Sequence, residues 1–303
     1  MHKVIGIGET VLDIVFRHDQ PQAAVPGGSV FNSMVSLSRA GIPVCFISEM
    51  GKDRVGELIS RFMKDNGLST DYIDFYEEAN SPLALAFLDE DSNASFQFYR
   101  QMPEMRMNIE FPVVDANDVC MISSYFAVNP EVRAPVFHLL DMAKENGAMV
   151  YYDINFRRPH AGERDSLMPT FIENFQFADI IRASDEDLEV LFNSQPPRFI
   201  LDEESKVFII TQGEKGIFLR TPLFKKEYPI EVIKPLSAIG AGDGFNAGLV
   251  YGMMKLAITK EKLPRLEEPV WDKLMDYARG FAADVCLSYD NYISRTFSKT
   301  LMR

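Results

Sequence analysis

The sequence predicts an α/β fold organised around a mostly parallel sheet. Two observations point there. An amphipathic helix that closes at a glycine and hands over to a short apolar strand recurs along the chain. The composition is that of an ordinary globular protein, with 47% hydrophobic and 25% charged residues in 303. That length suits one large α/β domain or two ordinary ones. A single domain over 1–303 with a small β-structured flap fits better, since no clear linker, internal repeat or low-complexity stretch divides the chain.

Taken in order, residues about 28–40 read as a helix that stops at Gly41 and passes through Ile42-Pro43 into a strand at Val44–Ile47. Residues about 54–65 form a second helix, ending at Asn66-Gly67. Residues about 131–146 place Val132, Val136, Leu139, Leu140 and Ala143 on one face, end at Asn146-Gly147 and lead into a strand over Ala148–Tyr152. Glycine just past a helix supplies its left-handed cap, and helix–strand alternation implies parallel strands. Two segments break the rhythm. Residues about 83–101 read as strand, turn, strand, with Asp91-Ser92-Asn93 at the turn. Residues about 10–25 hold an apolar run without helical period. Together, as 10–25 and 83–108, they are expected to build a β lid at one edge of the main sheet. Residues 194–204 are the most loop-like stretch.

The bulk numbers exclude some function classes. Thirty-one basic against 44 acidic residues give a formal net charge of -13, with no basic block. Neither nucleic acid nor an anionic membrane surface is an expected partner. Glu9 and Asp13 interrupt the apolar N-terminus, and no run approaches the ~20 residues that span a bilayer. A cytoplasmic location is expected. Cys45, Cys120 and Cys286 are far apart and odd in number, which suits small buried hydrophobes better than zinc or disulfides. His2, His18, His138 and His160 are equally scattered.

Gly6-Ile7-Gly8 after the first strand invites a dinucleotide-binding reading, but the third glycine of that fingerprint would fall on Val11. No Walker A pattern occurs. The stronger signal is Ile239-Gly240-Ala241-Gly242-Asp243-Gly244, followed at helical spacing by Phe245, Leu249, Met253 and Leu256. Glycines opening a helix leave backbone N–H groups free, and with the helix dipole they form an anion site. Asp243 falls in the first turn. There it either complements the dipole or accepts a proton from an attacking hydroxyl beside a phosphate cradle.

At this point the chain resembles the ribokinase-like (pfkB) carbohydrate kinase family. Gly27-Gly28-Ser29-Val30-Phe31-Asn32 is similar to the family's N-terminal signature, Gly51–Gly56 to its GxDxxG segment and Gly240–Asp243 to its GAGD signature. They occur in the family's order and spacing over nearly the whole chain. The resemblance implies a three-layer α/β/α sandwich with a β lid, ATP and Mg²⁺ as phosphoryl donor and cofactor, and a small sugar as acceptor. It carries catalysis to Gly240, Ala241, Gly242 and Asp243. It carries sugar contact to Asp13, Gly27, Gly28 and Asn32, and also to Asn155 and Arg157 of a DxNxR-like piece, Asp153–Arg157. Strand ends such as this one are where open α/β sheets bind ligands, though a buried salt bridge is the alternative for the segment.

On the nucleotide side, Ser184–Asp187 stands where the family shows NxxE, which implies nucleotide contact by Ser184 and Asp187 and metal contact by Asp187. The same residues read as a helix N-cap with an acidic first turn. Thr211, Gly213 and Gly216 resemble the family's TxGxxG turn near the nucleotide; as a bare motif they form a hairpin turn. Ala282-Ala283-Asp284 offers no adenine-side asparagine. Leu236–Ile239 lacks the carboxylate that many members place beside a monovalent cation, so potassium activation is not expected. The opening Gly6-x-Gly8-Glu9 with Asp13 resembles fructokinase-like and 2-keto-3-deoxygluconate kinase-like members, which favours fructose or a related keto-sugar. A phosphorylated sugar would need cations such as Arg100, Arg106 or Arg157. An ordinary aspartate, with a pKa of roughly 3.9, would be ionised at pH 7 and able to accept a proton. Relatives pair such lids between subunits, which implies a homodimer. The rival from another class is a non-catalytic sugar-binding regulator on a kinase scaffold, suggested by the altered Ser184–Asp187 and Ser237.

Overall fold

The computed structural model describes residues 2–90, 94–104, 106–193, 205–231 and 233–301. The expected turn at Asp91–Asn93 and the loop 194–204 lie outside them. The strands are β1 (Val4–Ile7), β2 (Val11–Arg17), β3 (Gln20–Gly27), β4 (Val44–Gly51), β5 (Ile73–Tyr76), β6 (Asn80–Leu88), β7 (Ala94–Gln101), β8 (Val119–Ser123), β9 (Met149–Asp153), β10 (Ile180–Ser184), β11 (Val207–Thr211), β12 (Ile217–Arg220) and β13 (Lys225–Tyr228). The helices are α1 (Ser29–Arg39), α2 (Arg54–Asp65), α3 (Arg133–Asn146), α4 (Arg164–Phe177), α5 (Asp185–Phe192), α6 (Ala241–Lys255), α7 (Glu268–Val285) and α8 (Arg295–Leu301).

Nine strands form the main sheet in the order β13-β12-β11-β10-β9-β8-β1-β4-β5. Pairing is parallel from β5 through β11 and antiparallel only in the β11-β12-β13 meander. Strands covered on both faces read as continuous apolar runs. Val119–Ser123 and Met149–Asp153 are buried at every position. Alternate residues feed two separate cores. Val4, Val119, Met121, Met149 and Tyr151 pack with α1, α6 and α7 on one face. Ile5, Ile7, Cys120, Ile122, Val150 and Tyr152 pack with α3, α4 and α5 on the other. Helix, sheet, helix is therefore the layering, as expected.

The pair Gly6/Gly8 serves packing. A Cβ on Gly6 would stand 2.5 Å from Val30 Cγ1, so the glycines let α1 lie close on β1. Central α6 is buried from Asp243 to Met253 and mostly apolar, with Asp243 and Asn246 as its buried polar side chains.

The two segments that break the alternation form a second sheet of their own, ordered β3-β2-β6-β7, rather than extra strands on the main one. β2 leaves the C-terminal end of β1 after three residues, and β6 leaves the end of β5 in the same way. Both therefore rise from the sheet's C-terminal edge. Asp53 caps α2 through the Gly56 N–H (2.7 Å) and also takes the Ser81 N–H (2.7 Å), tethering the root of β6. Pairing of Leu12 with Leu83, Ile14 with Leu85 and Phe16 with Phe87 puts apolar residues on one face of this sheet. Asp13, Val15, Ala84, Ala86, Phe96 and Phe98 share the other face, which looks toward the main sheet.

Candidate active site

One pocket gathers the C-terminal ends of β1, β8 and β9, the N-termini of α1 and α6, and the inner face of the second sheet. Its lining includes Asp13, Gly28, Asn32, Asn155, Arg157, Gly240 and Asp243. Those seven come from four separate stretches of sequence. Tertiary structure brings them together where open α/β sheets bind ligands.

At the centre is Asp243, third residue of α6 and buried at 8% exposure. Gly240 precedes the helix at φ +78°, a left-handed turn that aims the first-turn N–H groups at the pocket. Asp243 Oδ1 accepts from Ser29 Oγ at 2.7 Å and Oδ2 from Asn32 Nδ2 at 2.8 Å. Gly28 places both donors: it holds φ +125°, and a Cβ there would lie 2.2 Å from the Glu9 carbonyl oxygen. The expectation of an ordinary aspartate pKa is corrected here. Burial pushes Asp243 up to about 6, against the pull of Asn32 and Ser29. It is still largely ionised at pH 7.

Asp13 shares the pocket at 5% exposure. Its carboxylate takes Asn291 Nδ2 at 2.6 Å. Burial pushes it up to about 8, with the Asn291 donor opposing and the charges of Glu9 and Asp243 adding to the rise. Burial thus holds the two carboxyl groups of the pocket at different proton affinities. Gly27 is packed against Asp13, within 2.0 Å of Oδ2 for an added Cβ. Among the pocket residues, Ser124 (φ 62°) and Asn155 (φ 40°) hold left-handed backbone, a strain typical of functional sites.

Behind the pocket runs a buried polar network. Register sets Ser123, Asp153 and Arg182 side by side on β8, β9 and β10. Asp153 Oδ1 accepts from Arg182 at 3.0 Å, and Oδ2 accepts from Asn246 Nδ2 at 2.8 Å. Ser123 Oγ bridges Asp153 Oδ2 (3.3 Å) and Ser29 Oγ (2.8 Å). The buried salt bridge weighed for this segment is therefore present at Asp153, while Asn155 and Arg157 two and four residues on line the pocket. Arg182 also donates to Thr211 Oγ1 and lies under the phosphate-loop candidate: a Cβ on Gly242 would stand 3.2 Å from both terminal guanidinium nitrogens.

The remaining nucleotide-side candidates fall on the neighbouring strand ends. Ser184 and Thr211 are register partners on β10 and β11. Gly213 opens a short 3₁₀ turn, and Gly216 (φ +118°) closes it into the β11–β12 hairpin. Asp187, the metal candidate, has both carboxylate oxygens engaged by the protein. Its Oδ1 accepts from Phe156 N at 2.6 Å, and its Oδ2 from Ser184 N and Oγ at 2.7 Å. Ser184 and Asp187 form a capping box for α5, and the carboxylate is turned inward at 3% exposure. Arg106 is corrected as a sugar-phosphate candidate, because Glu49 and Glu131 engage its guanidinium away from this pocket.

Sequence reasoning missed Glu9, Ser124, Tyr125, His160, Phe96 and Phe98 in the pocket, and Asn291 behind it. Arg182 had a signal: a lone charge in the apolar strand Ile-Ile-Arg-Ala must be paired. Asn291 had none.

Residues 1–264 match the family described as pfkB family carbohydrate kinase. The sequence is 26% identical over 286 residues to a probable fructokinase-4 of Arabidopsis thaliana, covering 88% of this chain and 86% of that protein. It is 27% identical over 286 residues, with the same coverage, to fructokinase-2 of Solanum lycopersicum. The fold superposes with TM-score 0.85 and 22% identity on fructokinase from Vibrio cholerae O395 in its fructose-, ADP- and calcium-bound form, covering 100% of this chain and 99% of the other. It superposes with TM-score 0.83 and 19% identity on aminoimidazole riboside kinase from Salmonella enterica, covering 99% of each. A family match over most of the chain, on this ribokinase-like fold, makes the protein an ATP-dependent sugar kinase of the pfkB family.

Proposed function

We propose that the protein phosphorylates a hydroxyl of fructose or a closely related keto-sugar, with Asp243 as general base. The observation that carries this reading is the placement of Asp243: a carboxylate held by Ser29 and Asn32 at the N-terminus of α6, facing a pocket that also presents Asp13. The sugar lies between Asp13, Gly28, Asn32 and Asp243, with Asn155 and Arg157 at its side. The first-turn N–H groups of α6 receive the transferred phosphate. Asp243 takes the proton as the hydroxyl attacks in line. The second sheet, as a lid, covers the sugar with Phe96 and Phe98 and excludes water.

ATP lies along the ends of β10 and β11, past Ser184 and the Thr211–Gly216 turn. No group of three His, Cys, Asp or Glu able to hold a metal occurs among the described residues, and Mg²⁺ is commonly carried mainly by substrate phosphates. When bound, it supplies neutralisation of the phosphate charge.

ADP release with Mg·ATP across fructose, 2-keto-3-deoxygluconate, ribose and a nucleoside tests the substrate. Fructose is expected to give the highest kcat/KM by at least tenfold. Preference for the sugar acid would overturn it in favour of the second reading, which Arg100 and Arg157 in the pocket support.

The outer face of the lid supports a homodimer. Leu12, Ile14, Phe16, Leu83 and Leu85 share it with Phe87 (36% exposed) and Tyr99 (50% exposed), and Phe16 stacks on Phe87 at 5.0 Å. An apolar sheet face of this extent needs a cover, and a second copy supplies a matching one. Light scattering after gel filtration is expected to give twice the chain mass, and the chain mass for Phe87→Asp. A monomeric parent would refute the dimer.

A further inference from the structure

Beyond residue 264, where the family match ends, the loop after α7 returns to the site and inserts one side chain. We propose that this residue, Asn291, is a positioning residue for Asp13 that ties the sugar-facing carboxylate to the phosphate loop. The inference rests on reading Asp13 as a sugar contact.

Asn291 is fully buried, and among the described residues its Nδ2 makes the only side-chain hydrogen bond to Asp13, at 2.6 Å. Its backbone abuts the other half of the site. A Cβ on Gly240 would lie 2.6 Å from Asn291 O and 2.9 Å from its Cα, and a Cβ on Gly27 would lie 3.1 Å from Asn291 Nδ2. One residue thus touches the lid strand's aspartate, the glycine pair and the turn that opens α6. Its Oδ1 is buried and has no hydrogen-bond partner. A side chain kept for packing alone would not retain an orphaned amide oxygen at that depth.

The loop does not depend on this side chain for its place. Ile293 N donates to Ser36 Oγ (3.2 Å), Arg39 donates to Ile293 O (2.6 Å), and Ser294 N donates to Asp284 (2.5 Å). Truncating Asn291 therefore leaves the chain path intact and removes the hold on Asp13. The charged and titratable groups facing Asp13 are Glu9, itself paired with Arg100 at 3.6 Å, Asp243 and Tyr292. None donates a hydrogen bond to it, so no neighbour substitutes for Asn291.

The test uses the full chain with Asp13→Asn, Asn291→Ala and the isosteric Asn291→Asp. Carboxyl ¹³C titration, with Asp13 assigned by its loss in Asp13→Asn, reads the contact without requiring any particular substrate. In Asn291→Ala the Asp13 midpoint should rise by about one pH unit. With fructose and Mg·ATP, KM for fructose should rise about tenfold in Asn291→Ala while kcat stays within about twofold. In Asn291→Asp a like carboxyl faces Asp13 in place of the donor, so the pair should hold its first proton above the parent Asp13 midpoint, and KM for fructose should rise at least as far as in Asn291→Ala. An unmoved Asp13 midpoint in both Asn291 variants overturns the proposal. So does a moved midpoint with unchanged fructose KM, provided Asp13→Asn itself raises that KM. Unchanged KM in Asp13→Asn instead removes the sugar role of Asp13, and that failure is separate from the failure of Asn291 to hold it.

Discussion

Asp243→Asn should lower kcat on the order of 10²-fold or more, with KM for sugar and ATP within severalfold of the parent and the fold retained. The substitution keeps the shape and the Ser29 hydrogen bond but removes the carboxylate proposed to accept the proton. The pH dependence gives a second reading of the same group. Because burial raises Asp243 to about 6, its active, ionised form is lost as pH falls through that value. The parent kcat should therefore fall tenfold per unit below about pH 6, and the residual activity of Asp243→Asn should lack that limb. Near-normal turnover in the folded variant would take the proton-accepting role from Asp243.

Arg182→Met should destabilise the fold by about 3–5 kcal/mol, read by urea unfolding at pH 7.5. Arg182 is 7% exposed, and its partner Asp153 is 1% exposed. Removing the guanidinium leaves Asp153 buried with neutral donors from Asn246 and Ser123 and no cation. Adding Asp153→Asn to the variant should restore part of the loss, because the stranded charge is then gone. A loss below about 1 kcal/mol, or strict additivity in the double variant, would show that the pair is not coupled in this way. The guanidinium also lies against Gly242, so KM for ATP should rise in the same variant.

Much of the fold was legible because it rests on local rules. The glycine after α3 and the apolar strands flanking it report directly on a cap and on burial from both sides. The GAGD stretch was legible as a helix start for the same reason, since the left-handed Gly240 and the apolar run after it mark the N-terminus of a buried helix. Ser184–Asp187 shows the limit of motif carry-over. Both readings fit the four letters, and only the structure shows the capping box and the inward turn of Asp187 onto Phe156 N.

What the sequence by itself determined is the layered α/β architecture, the second β element and the chemical type of the central residue. These follow from periodicity, capping and helix-terminus electrostatics, which act over a few residues. Only the tertiary structure decided that Ser29 and Asn32 grip Asp243, that Arg182 lies against Gly242 and that Asn291 reaches Asp13 across 278 positions. Such contacts depend on strand register and on helices meeting over the sheet. The proton affinities of Asp13 and Asp243 depend on burial. Neither leaves a periodic trace along the chain.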